Sequence, residues 1–364
     1  MISAADRLYL RAAIELAERG LYTSTPNPRV GCLLVREGKV IGRGWHMWRG
    51  QAHAEAAALA DAGTQAPGSA RPAENATAYV SLEPCSIHGE TPPCADTLID
   101  AGIRRVVAPM PDPNPNVNGQ GFARLRDAGV QVDIEEMPEA VELNPGWAKR
   151  MSTGRPWVRL KTAMSLDGRT ALASGESRWI TGEAARADVQ YWRARSCAIV
   201  TGAGTVRDDD PRLTVRDARF SADSRTRQPL RAVVSSRGNI SEDAAVFTAG
   251  GRSLIACGRY GPHDHPHAEV YRQDAEQVDL SLLIDELGAR QCNEVMVEAG
   301  PVLTGEFLAQ GLWDEWILYA APKFLGSDAR PLAEFKLSRL AQAVAGRIAE
   351  TQMIGEDLRI VVRK

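Results

Sequence analysis

Three residues with metal-binding side chains and one carboxylate govern what the first half of this chain can fold into: His53-Ala54-Glu55, then Pro84-Cys85, then Cys94. One imidazole and two thiolates make three ligands for Zn²⁺ and leave a fourth tetrahedral position open, as catalytic zinc sites do and structural ones do not. For the three to meet, the segment at His53 and the segment ending at Cys85 must lie side by side. The surrounding pattern supplies such elements. Residues 30–35 and 40–45 read as strands joined by a Glu37-Gly38-Lys39 hairpin turn. His53 begins an Ala-rich helix reaching about Leu59, and residues 78–82 (AYVSL) read as a buried strand that delivers Glu83-Pro84-Cys85 to its end.

The rest of this half alternates strands and helices. Ser3-Ala4-Ala5-Asp6 reads as a capping box opening a helix, with Gly20 placed to end it. A helix over 92–101, a strand over 105–108, a helix near 121–127 and a strand over 130–134 follow, so an α/β layered domain with a largely parallel sheet is expected. The Pro/Gly/polar run from Asn144 to Pro156 has the character of a linker. A second α/β pattern starts at Trp157. Its strands are expected near 157–163, 197–201, 230–235, 253–257, 294–298, 315–320 and 357–363, and its helices near 182–193, 280–289 and 302–310. Residues 217–229 and the His263–His267 patch read as exposed loops. A chain of 364 residues exceeds the usual size of one domain. The division expected is 1–147, a linker at 148–155, and 156–364.

The bulk chemistry excludes several classes. A net charge of −3 calls for neither a nucleic-acid nor a membrane partner. There is no apolar run of membrane-spanning length, and the amphipathic N-terminus does not read as a signal peptide. Six scattered cysteines do not form a disulfide framework, which fits a reducing cytoplasm.

Glu55, two residues after the histidine, is not needed as a ligand but suits a general acid/base beside a metal-activated water. The arrangement H-x-E … P-C … C is the signature of zinc deaminases that act on an amino-bearing pyrimidine or purine ring. His53 at a helix start and Cys85 and Cys94 flanking another favour ligand over core roles, since helix N-termini favour thiolate. Eight residues (SIHGETPP) separate the cysteines here instead of the signature's two, giving a loop long enough to lie over the metal. A nucleic-acid deaminase is disfavoured, because residues 1–150 carry 15 Lys/Arg against 18 Asp/Glu.

Further residues make the match specific. Thr25-Pro26-Asn27-Pro28-Arg29-Val30-Gly31, Gly44-Trp45-His46 and Gly50-Gln51-Ala52-His53-Ala54-Glu55 precede Glu83-Pro84-Cys85 … Pro92-Pro93-Cys94 and Asp112-Pro113-Asn114-Pro115. The second half carries Ser165-Leu166-Asp167-Gly168-Arg169, Gly175-Glu176-Ser177-Arg178-Trp179-Ile180-Thr181, Asp209-Asp210-Pro211-Arg212-Leu213-Thr214-Val215-Arg216 and Glu298-Ala299-Gly300. In this order, over nearly the whole chain, the sequence resembles the bifunctional riboflavin-biosynthesis deaminase/reductases. The resemblance implies a cytidine-deaminase-like three-layer domain followed by a dihydrofolate-reductase-like α/β domain. The first would deaminate 2,5-diamino-6-ribosylamino-4(3H)-pyrimidinone 5′-phosphate; the second would reduce the ribose of the product to a ribityl chain with NADPH. It implies His53, Cys85 and Cys94 as zinc ligands, Glu55 as proton carrier, and Asn27 and His46 in the pyrimidine pocket. It implies substrate contacts at Ser177, Arg193, Leu213, Arg216 and Glu298. For the cofactor it implies Lys161, Trp179, Thr181, Thr205, Asp209, Ser236, Gly300, Pro301, Val302, Leu303, Thr304, Gly305 and Glu306, with Lys161 also a charged group near the reacting sugar.

The second half lacks the strand–GxGxxG–helix fingerprint of dinucleotide binding. Two other glycine turns follow strands: Thr201-Gly202-Ala203-Gly204-Thr205, and Glu298-Ala299-Gly300-Pro301 with proline at the first helical turn. Between Arg178 and Arg237 stand twelve arginines against seven acids, a surplus that two phosphoesters would occupy.

Three positions depart from the family pattern. Between the cysteines, Ile87 replaces a histidine, and Glu90 replaces the basic residue expected to face the substrate's phosphate, where a carboxylate would repel it. Ser235 stands where an aspartate is common. A reductase joined to a degenerate or differently specific deaminase is therefore the alternative reading. Self-association as a homo-oligomer is left open, with Trp313-Asp314-Glu315-Trp316 as a segment for such an interface.

Overall fold

The computed structural model describes residues 2–66, 69–88 and 92–364, and the chain divides into two compact units, Met1–Gly154 and Arg155–Lys364. The first unit runs α1 (Ala4–Glu18), β1 (Gly31–Arg36), β2 (Lys39–Trp45), α2 (Ala54–Gln65), β3 (Thr77–Val80), α3 (Cys94–Asp100), β4 (Arg105–Ala108), α4 (Gln120–Asp127), β5 (Gln131–Ile134), α5 (Pro138–Leu143) and α6 (Pro145–Thr153). Its sheet has the order β2-β1-β3-β4-β5. Alternate residues of β1 face opposite sides, as pleating requires. Cys32 and Leu34 join a core with α2, α3 and α4, while Leu33 and Val35 join a core with α1 and α5. The result is a three-layer α/β/α unit.

The sheet is mixed, which corrects the largely parallel reading. β1 is antiparallel to both β2 and β3, and only β3–β4 and β4–β5 are parallel. The hairpin that begins the sheet fixes the direction of β1, and only the later strands are joined through helices.

Helix α1 begins with the expected capping box, Ser3 Oγ accepting from Asp6 N and Asp6 accepting from Ser3 N. Its end differs: Arg19 caps it in the right-handed region, and Gly20 serves another purpose. A Cβ on Gly20 would lie 2.6 Å from the carbonyl oxygen of His46, so the glycine permits close passage of the His46 strand end. The run read as a linker is also corrected, since it folds as α6. Pro145 sits in its first turn and Gly154 closes it with φ +77°, so the two residues that punctuate loops here punctuate a helix.

The second unit runs β6 (Trp157–Ser165), β7 (Arg169–Ala171), α7 (Glu183–Arg195), β8 (Ala198–Gly202), α8 (Ala203–Asp209), β9 (Leu230–Val234), α9 (Ala245–Thr248), β10 (Ser253–Cys257), β11 (Glu269–Arg272), α10 (Leu280–Ala289), β12 (Glu294–Glu298), α11 (Pro301–Ala309), β13 (Glu315–Ala321), β14 (Arg330–Pro331), β15 (Arg347–Ile354) and β16 (Asp357–Arg363). Nine strands form one sheet, ordered β11-β10-β9-β8-β12-β6-β13-β16-β15, parallel from β11 through β13 and finished by antiparallel β16 and β15.

A buried ion network ties the central strands. Arg159 on β6 pairs with Glu294 of β12 at 3.0 Å and Glu315 of β13 at 2.5 Å, and Arg195 pairs with Glu294 at 2.7 Å. The Trp313–Trp316 segment belongs to this interior. Trp313 is buried, Trp316 Nε1 donates to Thr162 Oγ1, and Glu315 is paired, so the segment is not an exposed interface. Among the described residues no helix is long and apolar enough to cross a membrane.

Candidate active sites

In the first unit the ligand set depends on how α2 sits on β2. Gly42 and Gly44 face it, and a Cβ on Gly44 would lie 2.3 Å from both the Ala54 oxygen and the Ala58 nitrogen. Side-chain-free strand positions against an alanine-rich helix let the backbones approach, which seats the first turn of α2 beside the ends of β3 and α3. His53 is the N-cap of α2 but makes no capping bond. Its ring turns to the thiols instead, Nδ1 lying 3.2 Å from Cys94 Sγ and 3.7 Å from Cys85 Sγ. The three donors lie within 4.8 Å of one another. Zn–N and Zn–S arms of about 2.0 and 2.3 Å at a tetrahedral angle separate a nitrogen from a sulfur by about 3.6 Å, so the cluster fits Zn²⁺.

The electrostatics agree. Hydrogen bonding from Cys94, then from His53 and the Cys94 backbone, draws the Cys85 thiol down to about 4 against its burial, while Cys94 retains the shared proton. Glu55 is buried, and its carboxyl is pushed up to about 7, first by burial and then by the Cys85 charge. His46 lies edge-on to His53 at 5.1 Å. Its Nδ1 meets the Ala52 oxygen at 3.1 Å and its Nε2 meets Asn27 Nδ2 at 3.1 Å, so the neutral tautomer donates from Nδ1 and accepts at Nε2. Burial lowers its pKa, favouring that neutral form. Asn27 and His46 thus lie beside the ligand cluster.

Glu83 is a site-building residue that sequence reasoning missed. Its two oxygens accept from the backbone nitrogens of Asp112, Gly119, Gly121 and Phe122, at 2.8, 2.8, 2.8 and 3.2 Å. One buried carboxylate therefore anchors the 112–121 loop and the start of α4 next to Cys85. Gly121 permits it, because a Cβ there would lie 1.9 Å from the Pro84 oxygen. The E-P-C and G-Q-G motifs, read separately, were the available signal. Ile87 is exposed in the inter-cysteine loop, whereas Glu90 lies outside the described residues.

In the second unit a cleft of about 1280 Å³ opens at the carboxyl ends of β6, β8, β9 and β12. The order of the sheet reverses between β8 and β12, the kind of switch point where α/β sheets bind ligands. Ser177, Arg193, Leu213, Arg216 and Glu298 line it. So do Lys161, Trp179, Thr205, Asp209 and Ser236, and from α11 Pro301, Val302, Leu303 and Glu306 together with its N-cap Gly300. Thr181, Thr304 and Gly305 do not. Thr181 is buried with its carbonyl accepting from Arg186, Thr304 Oγ1 donates to the Ala299 oxygen, and Gly305 packs so closely that a Cβ would lie 2.0 Å from the Glu334 oxygen.

At the floor, Glu298 takes Arg193 with both oxygens, at 2.6 and 3.0 Å, and its Oε2 is 3.7 Å from Lys161 Nζ. Burial alone would raise Glu298, but Arg193 and Lys161 hold it below its ordinary value; burial lowers Lys161, with Glu298 opposing. Gly300 N donates to Thr205 Oγ1 at 3.1 Å, joining the two glycine turns singled out in the sequence. Trp179 is exposed under the Arg186 guanidinium at 4.4 Å. The cleft, its basic lining and the start of α11 fit a phosphate-bearing dinucleotide.

Comparison with known proteins decides the family. Residues 3–110 match the model of the cytidine and deoxycytidylate deaminase zinc-binding region, and residues 156–360 match that of the RibD C-terminal domain. The chain is 45% identical to the riboflavin biosynthesis protein RibD of Escherichia coli (strain K12), over 97% of this chain and 98% of that one. The chain belongs to the RibD family. A RibD of Haemophilus influenzae is 43% identical over 98% of this chain and 97% of its own. Among solved structures, Acinetobacter baumannii RibD superposes with a TM-score of 0.90 at 41% identity, covering 99% of this chain and 98% of that one. A deaminase/reductase of Thermotoga maritima gives 0.87 at 30% identity over 99% and 98%. A RibD protein joins a zinc-dependent deaminase to an NADPH-dependent reductase in riboflavin biosynthesis, and this chain carries both halves.

Proposed function

We propose that the first unit deaminates 2,5-diamino-6-ribosylamino-4(3H)-pyrimidinone 5′-phosphate and that the second reduces the ribose of that product. The observation that carries this is the His53, Cys85 and Cys94 cluster with buried Glu55 beside it, in a chain matching RibD proteins end to end. His53, Cys85 and Cys94 hold Zn²⁺, which when bound supplies Lewis acidity toward a water. Glu55 takes the proton of that water and returns it to the departing ammonia. Its elevated pKa suits a group that must accept and then release a proton near neutrality. Asn27 and His46 orient the ring from the side of His53.

In the second unit NADPH supplies the hydride. Gly300 and the start of α11, with Thr205, hold its pyrophosphate, while Trp179, Asp209 and Ser236 complete the cofactor lining. Lys161, kept charged by Glu298, lies near the reacting sugar and stabilises the oxygen that gains charge as the ribose opens and is reduced. Arg193 fixes Glu298, and Ser177, Leu213 and Arg216 line the substrate side. Roles in the cofactor site for Thr181, Thr304 and Gly305 are positional, through the packing described above.

A small-molecule ribotide is the partner of both sites. A second copy is the partner we propose for the exposed edge of the nine-stranded sheet. Residues 336–353 are exposed without a break, and Leu340, Ile348 and Met353 are 91%, 61% and 59% exposed. A reducing compartment such as the cytoplasm suits cysteines that must remain thiolates to hold metal.

Product mass tests the reading. Zinc-loaded protein with NADPH is expected to yield a product in which one amino group is replaced by oxygen and two hydrogens are added. A product with neither change contradicts it. Light scattering tests the association: a dimer in the wild type and a monomer for Ile348→Asp is expected, and a monomeric wild type contradicts it.

A further inference from the structure

We propose that Asn144 is a positioning residue for deamination, holding Asn27 in place against His46 from the junction of α5 and α6. This rests on the reading above that Asn27 and His46 orient the pyrimidine ring. Asparagine at a helix start ordinarily turns its side chain back to cap its own helix. Asn144 is the N-cap of α6 and makes no such bond. Its amide goes to Arg29 instead: Oδ1 accepts from Arg29 N, and Nδ2 donates to the Arg29 oxygen, both at 2.9 Å. One orientation of the amide satisfies both bonds. Asn144 and Arg29 are buried, at 7% and 6% exposure, so neither bond is readily exchanged for water.

Arg29 stands two residues before β1, on the segment that carries Asn27 into the sheet. On one side of that segment His46 N donates to the Val30 oxygen at 2.9 Å. On the other, Gly31 N donates to Ser81 Oγ and Ser81 N donates to the Gly31 oxygen, both at 3.0 Å. Beyond Ser81 the chain leaves toward Cys85. At Arg29 the Asn144 amide supplies the donor and acceptor that a strand neighbour would exchange. Arg29 Nη1 also donates to the Leu143 oxygen at 2.7 Å, and Arg150 Nη2 of α6 reaches the Pro26 oxygen at 3.2 Å. The α5–α6 junction therefore grips the segment on both sides of Asn27, at Pro26 and at Arg29. Held this way, with its own N donating to the Ser24 oxygen at 3.0 Å, Asn27 presents Nδ2 3.1 Å from His46 Nε2. None of these bonds involves His53, Cys85 or Cys94.

The test is deamination kinetics on zinc-loaded, full-length protein, with zinc content and thermal melts measured alongside. The variants are Asn144→Ala, Asn144→Asp, Asn27→Ala and the Asn27→Ala, Asn144→Ala double variant. Asn144→Ala is expected to lower kcat/KM for ammonia release on the order of 10- to 100-fold, with zinc content and NADPH oxidation on the deaminated ribotide as in the wild type. Asn144→Asp keeps the shape and the acceptor but cannot donate to the Arg29 oxygen, so its loss should have the same sign without a cavity. Because Asn144 acts through Asn27, the double variant should lose no more than about twofold beyond Asn27→Ala. Losses that multiply, or wild-type kinetics in both Asn144 variants, overturn the proposal and leave the ring-orienting reading standing. Loss of zinc and of the first melting transition in both Asn144 variants makes Asn144 a support of the whole unit and also overturns it. A wild type that releases no ammonia, or Asn27→Ala at the wild-type rate, overturns the underlying reading and the proposal together.

Discussion

Lys161 and Glu298 are register partners on adjacent parallel strands, β6 and β12, and their side chains meet at 3.7 Å on the cleft floor. The pairing is held two residues earlier, where Arg159 is in register with Glu315 on one side and bonds Glu294 on the other. A slip of one residue would send Lys161 to the opposite face of the sheet. The buried ion network therefore fixes the register on which the reductase site depends.

Replacing Glu298 by Gln removes the charge that opposes the burial of Lys161 and releases Arg193. Burial already lowers Lys161, so its pKa falls further, and the alkaline limb of NADPH oxidation moves to lower pH. The rate at the optimum falls about 100-fold or more, and ammonia release is unchanged. Parallel pH profiles of the two activities check this.

Glu55→Gln keeps the ligand set and loses the proton carrier. Ammonia release is expected to fall by roughly 10² to 10⁴, while zinc content by atomic absorption stays at the wild-type level. In the wild type, Zn²⁺ at the site opposes the Cys85 charge that raises Glu55, so the acid limb of ammonia release lies below pH 7. Chelation abolishes ammonia release, zinc restores it, and NADPH oxidation on the deaminated ribotide is indifferent to both.

Glu83→Gln presents an amide donor to backbone donors that the carboxylate satisfied four at a time. The loss is about 2 kcal/mol in the stability of the first unit, read as a lower first melting transition, together with a raised KM for deamination. The reductase KM is unaffected.

Asp6 gives the first unit an acid-sensitive anchor. Its burial alone would raise the carboxyl, but Arg105 at 2.7 Å, the Ser3 backbone and Tyr79 more than offset that and hold it below the ordinary 3.8. A depressed folded value means the stabilisation is complete above pH about 4 and is lost as pH falls through the folded value. Asp6→Asn is expected to destabilise by about 3 kcal/mol at pH 7 and to flatten the acid dependence. Urea midpoints at pH 7 and pH 3 measure it.

The meeting of His53, Cys85 and Cys94 was legible because histidine, cysteine and carboxylate at those spacings have few other uses, and the N-terminal cap of α1 was legible because capping is local. What escaped was non-local or ambiguous. Pro145 and Gly154 end helices as readily as they make loops. The antiparallel placement of β1 against β3 is decided by pairing across the intervening α2. β15, with the pattern RIAETQMI exposed along nearly its whole length, lacks the alternation that marks a half-buried strand. Thr304 and Gly305 shared a motif with cleft residues, yet helical periodicity turns them toward the packing of α11. Glu83 was hidden because its partners are backbone amides, which sequence does not display.

The most direct measurement follows ammonia and NADPH separately on the diamino pyrimidine ribotide for wild type, Glu55→Gln and Lys161→Ala. The account predicts both signals from the wild type. Lys161→Ala should give ammonia without NADPH loss, and Glu55→Gln should give NADPH loss only when supplied with the deaminated ribotide. NADPH consumption by Lys161→Ala at the wild-type rate, or ammonia from Glu55→Gln at the wild-type rate, would contradict it.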